Sequence, residues 1–234
     1  MARGGWLAAA AFGMAALAPA AEAGAATEEG RMRFAVHYDG DRIGMHELRF
    51  TRLGPDSLRV EIAIDLKVGF AFVTLFRYTH RNETQWEQGE LVRMSARTND
   101  DGTKHRVQAE RTDEGQLRVT DENGTTRTMP GDTLPSTYWM TATVERAQLL
   151  NTQKGNLAEI TVAQHPKTDL VPTPEGRVPA QGYTMSGGLD AKAWYDEQGR
   201  WVKLTFQARG STVRYELIER SGFVPTSPKL DSKS

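Results

Sequence analysis

Apolar and polar residues alternate with a period of two from Arg31 onward. Met32, Phe34, Val36 and Tyr38 share one parity, and Asp39-Gly40 then supplies a hairpin turn. His46, Leu48 and Phe50 carry a second strand to Gly54-Pro55-Asp56. Leu58, Val60, Ile62, Ile64, Leu66 and Val68 alternate without a break, which predicts a strand with one buried and one wet face. Phe70, Phe72, Phe76 and Tyr78 continue that parity, with Val73 and Leu75 on the other face. An extended run from Leu58 to Asn82 would reach roughly 80 Å at ~3.3 Å per residue. The chain therefore folds back or bends, and Gly69 is the nearby residue free of the Cβ restriction.

Turn signals recur at short spacing after this: Asn82-Glu83, Gln88-Gly89, Asp100-Asp101-Gly102, Glu114-Gly115, Asn123-Gly124, Lys154-Gly155, Gly187-Gly188 and Gln198-Gly199. Strand-like runs lie between them, including 105–111, 116–120, 157–162, 202–208 and 213–218. The expected architecture is mainly β: a single curved antiparallel sheet, half-barrel or barrel. One short helix should cover or plug it. Ser136 or Thr137 would cap that helix, and Tyr138, Trp139, Met140, Ala142, Val144 and Ala147 would supply its apolar residues. Residues 165–179 hold four prolines and read as a loop or a pair of ragged edge strands. Trp194 and Trp201 flank a turn, so a stacked cross-strand pair is expected.

The two ends of the chain differ from the body. Arg3, the Ala-rich apolar run from Gly4 to Leu17 and the small-x-small sites ending at Ala20 and Ala23 read as a secretory signal peptide over 1–23. Of those residues, 17 are apolar, so residues 24–234 are more polar than the whole chain. The expectation is export to the periplasm with a β-rich domain over 24–220. A disordered tail is expected over 221–234, where Pro225, Pro228, Ser and Lys recur. No later window is apolar enough for a membrane-spanning helix.

Charge and chemistry narrow the function classes. The 29 Lys and Arg balance 30 Asp and Glu, which removes the electrostatic case for a nucleic-acid partner. The chain has no cysteine, so disulfides, thiolate metal sites and Cys nucleophiles are excluded. The five histidines (37, 46, 80, 105 and 165) show no local metal-ligand spacing. Asn99-Asp100-Asp101-Gly102 resembles part of a calcium loop, but Arg97 and Gln108 occupy ligand positions, and a polar hairpin turn fits better. No nucleophile elbow, zincin motif or phosphate loop occurs, so no catalytic residue, metal or cofactor is assigned.

The cluster that remains is aromatic. Phe70, Phe72, Phe76 and Tyr78, with His80, Trp86 and Trp139, are candidates to line an apolar cavity, Tyr78 and His80 giving it a polar handle. Plain core packing is the alternative reading of the same rings. Tyr78-Thr79-His80, Trp86 to Leu91, Thr98 to Gly102, Leu150 to Gly155 and Trp194-Tyr195-Asp196 together resemble an uncharacterised family of exported proteobacterial proteins. That family is known only as a domain of unknown function, and the resemblance covers about 31–220. A related exported family shares the Trp-Tyr-Asp-x-x-Gly hairpin at 194–199. That related family in turn is similar in architecture to periplasmic lipoprotein carriers, whose half-barrel wraps a helix and holds acyl chains. Export, the strand pattern, the aromatic stripe and the lack of a catalytic constellation point to a non-enzymatic binding or carrier protein for an apolar, lipid-like ligand. Two alternatives stay open: an envelope assembly or protein-interaction factor with a packed core and an unknown protein partner, and an enzyme whose site gathers around a His from separate strands.

Overall fold

The computed structural model describes residues 28–70 and 73–228, with the side chains of Phe70 and 73–75 left aside. The expected leader over 1–23, Phe72, and residues 229–234 of the expected tail lie outside the described residues. Within them, period-two alternation becomes strands of one antiparallel sheet. The first meander is β1 (Glu28–Tyr38), β2 (Asp41–Gly54), β3 (Ser57–Phe70), β4 (Val73–Glu87), β5 (Glu90–Asp100), β6 (Thr103–Arg111), β7 (Leu117–Asp121) and β8 (Thr126–Met129). The second half comprises β9 (Gln148–Leu150), β10 (Leu157–Gln164), β11 (Asp169–Thr173), β12 (Gly176–Gly187), β13 (Ala191–Asp196), β14 (Trp201–Ala208) and β15 (Ser211–Gly222). β15 pairs with β1 and joins the halves, so the order runs β8 to β1, then β15 to β12, β10 and β9, with β11 beside β12.

The sheet curls without closing. β8 and β9 share no ladder; a single parallel bridge joins Pro135 to Leu150, where Leu150 N–H donates to Leu134 O at 2.8 Å. A twisted sheet of this many strands must curve. Register shifts at Arg33/Phe34, Val36/His37, Val68/Gly69 and Trp194/Tyr195 add local bends. The concave face is the core. Leu58, Val60, Ile62 and Leu66 are buried on it while Glu61, Asp65 and Lys67 are exposed, the register that the alternation sets. The chain folds back beyond Phe70, not at Gly69, which stays within β3 at a register shift: β3 pairs with β4, and Phe70 lies opposite Val73.

Three expectations need correction. Asn82-Glu83 is the middle of β4, not a turn, and Asn82 is buried between Ile62 and Ala96. The helix reduces to a five-residue 3-10 turn, Thr141–Glu145, which begins after an extended Met140 and has no side-chain cap. Residues 130–140 instead cross the concave face as irregular chain. The proline-rich stretch takes the edge-strand alternative of its reading, with β11 paired to β12 beside the main strand order. The expected tail is placed as far as Pro228: Ser221 and Gly222 complete β15, Phe223 N–H donates to Glu29 O at 3.0 Å, and Pro225 is buried.

The tryptophan pair does not form either. A bulge at Trp194/Tyr195 sets Tyr195, not Trp194, opposite Trp201. Trp194 donates to Asp169 Oδ2 at 2.6 Å and carries Lys203 over its ring, while Trp201 packs on Phe34 at 4.0 Å between centroids. The Asp of the Trp-Tyr-Asp hairpin has a structural job. Asp196 accepts from the Gln198 and Arg200 backbone N–H groups and from the Arg200 and Arg220 guanidinium groups at 2.8–3.1 Å.

Candidate functional site

Hairpin geometry builds a cavity at one rim of the sheet. Antiparallel pairing brings the Asp39-Gly40, Asp101-Gly102 and Arg209-Gly210 turns to the same rim, together with the 151–156 loop and the 187–190 connection. Each of the three turns has positive φ at both central residues, which matches the strand twist. The concave face beneath this rim encloses about 550 Å³. Ile64, Leu66, Val68, Leu204, Phe206 and Val213 supply apolar walls, and Tyr138 lies at the boundary with the packed interior.

The crossing segment divides the interior. Tyr138 and Thr137 face the cavity. The next residue, Trp139, is buried on the other side against Trp86 (6.1 Å, 87°) and Phe50 (5.6 Å). Tyr138 makes this switch at φ 59°, a region that non-glycine residues rarely adopt, and its carbonyl accepts from the Tyr195 hydroxyl at 2.9 Å.

The expected aromatic stripe therefore splits. Phe76, Tyr78 and His80 line the cavity. Trp86 and Trp139 do not; they fill the core toward the opposite rim, and the Trp86 indole donates to Thr84 Oγ1 at 2.9 Å. Phe70 ends β3 at the hairpin tip, opposite Val73. Phe70 ends β3 whereas Phe76 and Tyr78 belong to β4, so these positions do not lie along one continuous strand.

Alternation alone did not single out His46. It lines the same cavity, is 4% exposed, and both of its ring nitrogens are buried without a hydrogen-bond partner. Three rings enclose it: Phe34, Trp201 and Tyr215, at 6.1, 5.3 and 5.4 Å. Cross-strand register places His46, Ile64, His80 and Thr98 in one row. His80 pairs its Nδ1 with Thr98 Oγ1 at 2.8 Å. Burial pushes the His46 imidazole down to about 3, with His80 adding a smaller effect, and burial pushes His80 down to about 4. Both rings are uncharged at neutral pH.

Charge is confined to the rim. Arg209 reaches across to Asp100 at 3.5 Å and lies over the Phe76 ring at 4.2 Å. The Tyr78 hydroxyl donates to Gln153 Oε1 at 3.2 Å, and Gln153 donates to Asp100 Oδ2 at 3.4 Å. Burial, then Asp100, push the Tyr78 phenol up. Among the described residues no cluster of His, Asp and Glu fits a metal ion. The His–carboxylate pairs found there, His37–Glu216 at 3.2 Å and His105–Glu122 at 3.0 Å, do not line the cavity.

Comparison with known proteins gives a family and a fold. The family described as "Domain of unknown function (DUF6134)" matches residues 34–218. No curated protein matches the sequence. A solved structure, the beta-barrel-like protein of domain of unknown function DUF1849 from Brucella abortus, is similar at a TM-score of 0.61 and 14% identity. The likeness covers 84% of this chain and 98% of that one, and at such identity it is a likeness of fold.

Proposed function

This chain belongs to the DUF6134 family, a domain of unknown function, and from that premise we propose that it is a non-enzymatic binding or carrier protein of the periplasm, holding an apolar, lipid-like ligand. The observation that carries the reading is the cavity of about 550 Å³ on the concave face. That volume lies within the range of roughly 300–1,000 Å³ of small-molecule sites. Its walls are mainly aliphatic and aromatic, with Ser136, Thr137, Asn151, Thr152 and Gln153 adding neutral polar groups, its charges stay at the rim, and its histidines lack the carboxylate partner that general acid–base catalysis uses. The leader-like residues 1–23 support the location.

The test is saturable binding of N-phenyl-1-naphthylamine, an uncharged fluorescent probe. The parent should bind it with one site. Ile64→Trp, which fills the cavity from its wall, should weaken binding at least tenfold while the protein stays folded. No saturable signal from the parent, or equal binding by the filled variant, rejects the carrier reading.

A further inference from the structure

We propose that the ligand enters with an uncharged polar end inward, where its oxygen pairs with the imidazole of His46. The ligand class is then a neutral amphiphile bearing an alcohol, ester or ketone, not a plain hydrocarbon and not a fatty-acid anion. This rests on the reading of the cavity as a ligand site.

The motive is an unmet hydrogen-bonding capacity at one level of a mainly apolar wall. A neutral imidazole carries one donor and one acceptor. In His46 neither finds a partner, although the ring is 4% exposed and borders the cavity. Unpaired polar groups in a low-dielectric interior are costly. A phenylalanine or leucine among Phe34, Trp201 and Tyr215 would meet the same rings without that cost. Thr98 occupies one nitrogen of His80 two strands along the row, so His46 is the member of the row left unpaired on both nitrogens.

Charge balance selects the head group. Asp100, Asp190 and Arg209 line the cavity only where the hairpins turn, and Arg209 already faces Asp100. Deeper in, the His46 and His80 rings are neutral because they are buried. A carboxylate drawn to that depth would lose its hydration and meet no compensating cation. A hydrocarbon would leave His46 unpaired. A neutral oxygen loses less hydration and supplies the missing partner.

The experiment is competition against N-phenyl-1-naphthylamine at pH 7.4 with 1-decanol, decane and decanoate, on the parent, His46→Leu and Arg209→Ala. In the parent, decanol should compete at least tenfold better than decanoate. The decanol-to-decane ratio, with each competitor referred to the variant's own naphthylamine affinity, should fall at least tenfold in His46→Leu. An unchanged ratio in that variant overturns the proposal while the carrier reading stands. Decanoate equal to decanol in the parent, and lost in Arg209→Ala, also overturns it by placing the head at the mouth. If neither the naphthylamine nor decanol binds the parent, the carrier reading itself falls and takes the proposal with it. Should His46→Leu fail to fold, imidazole ¹⁵N spectra of the parent decide: decanol should shift the His46 ring nitrogens and decane should not. No decanol-specific shift overturns the proposal.

Discussion

His46 sets stability against a vacant hydrogen-bonding position. Replacing a buried, unpaired polar group by an apolar one removes its desolvation cost of about 1–3 kcal/mol. His46→Phe should therefore raise the urea midpoint of the ligand-free protein, and a lowered midpoint would show that the imidazole is satisfied in solution. The same burial makes folding sensitive to acid. Both buried histidines have folded-state values, about 3 and about 4, below the ordinary 6.5. Protons then favour the unfolded chain. The stability linked to these neutral rings is fully present above about pH 6.5 and drains as pH falls toward about 4, by up to ~1.4 kcal/mol per pH unit per ring. Urea melts at pH 7.5, 5.5 and 4.5 should show this slope, and a His46→Phe/His80→Phe variant should flatten it. Equal slopes in parent and variant would contradict the assignment.

At the scale of elements, long hairpins carry the molecule and a few polar groups fix their ends. Asp196 ties the β13–β14 turn to β15 through Arg220, whose other contact is Glu175 beside β11. The Asp196 and Arg220 side chains are 2% and 7% exposed. Removing one partner of such a pair strands a buried charge and costs about 3–5 kcal/mol. Asp196→Ala should lose on that order in a denaturant melt, whereas Arg81→Ala, which breaks an exposed pair with Asp65, should lose under ~1 kcal/mol. Comparable losses would mean that Asp196 does not anchor this end of the sheet. The alternation of Leu58 to Val68 made its strand legible because a one-residue slip would expose that whole apolar face. Asn82-Glu83 misled because turn chemistry is only a local preference, and pairing with both β3 and β5 overrides it.

Across the whole molecule, the open sheet leaves a mouth, and one ion pair spans it between residues 109 apart in sequence. Arg209 and Asp100 are both partly solvated, at 57% and 34% exposure, so their attraction adds little to stability. Their effect should appear in exchange rates. Arg209→Ala should release N-phenyl-1-naphthylamine severalfold faster in stopped-flow fluorescence, with stability changed by under ~0.5 kcal/mol. Raising the salt should speed release from the parent in the same direction. Unchanged release in both conditions would show that the pair does not guard the mouth.

The order of side chains alone specifies the strands, most of their turns and the face that each strand buries. These result from side-chain period and from residues such as Gly40 and Gly102, which adopt positive φ at no steric cost. The balanced charge and the absence of thiol chemistry were equally plain there. Which aromatic residues share a space was settled only by the folded chain. Phe76, Tyr78 and His80 came to the cavity because the rim is where their hairpin turns, and Trp86 went to the core because it lies at the other end of the same strand. Trp139 parted from Tyr138 through one positive φ in a segment with no periodic pattern to read. His46 left no sequence signal beyond its parity, since being unpaired depends on what the neighbouring β1 and the distant β14 and β15 place around it. Periodicity fixes a residue's face, but position along a strand becomes position in a site only after hairpin register and curvature have set which strand ends meet.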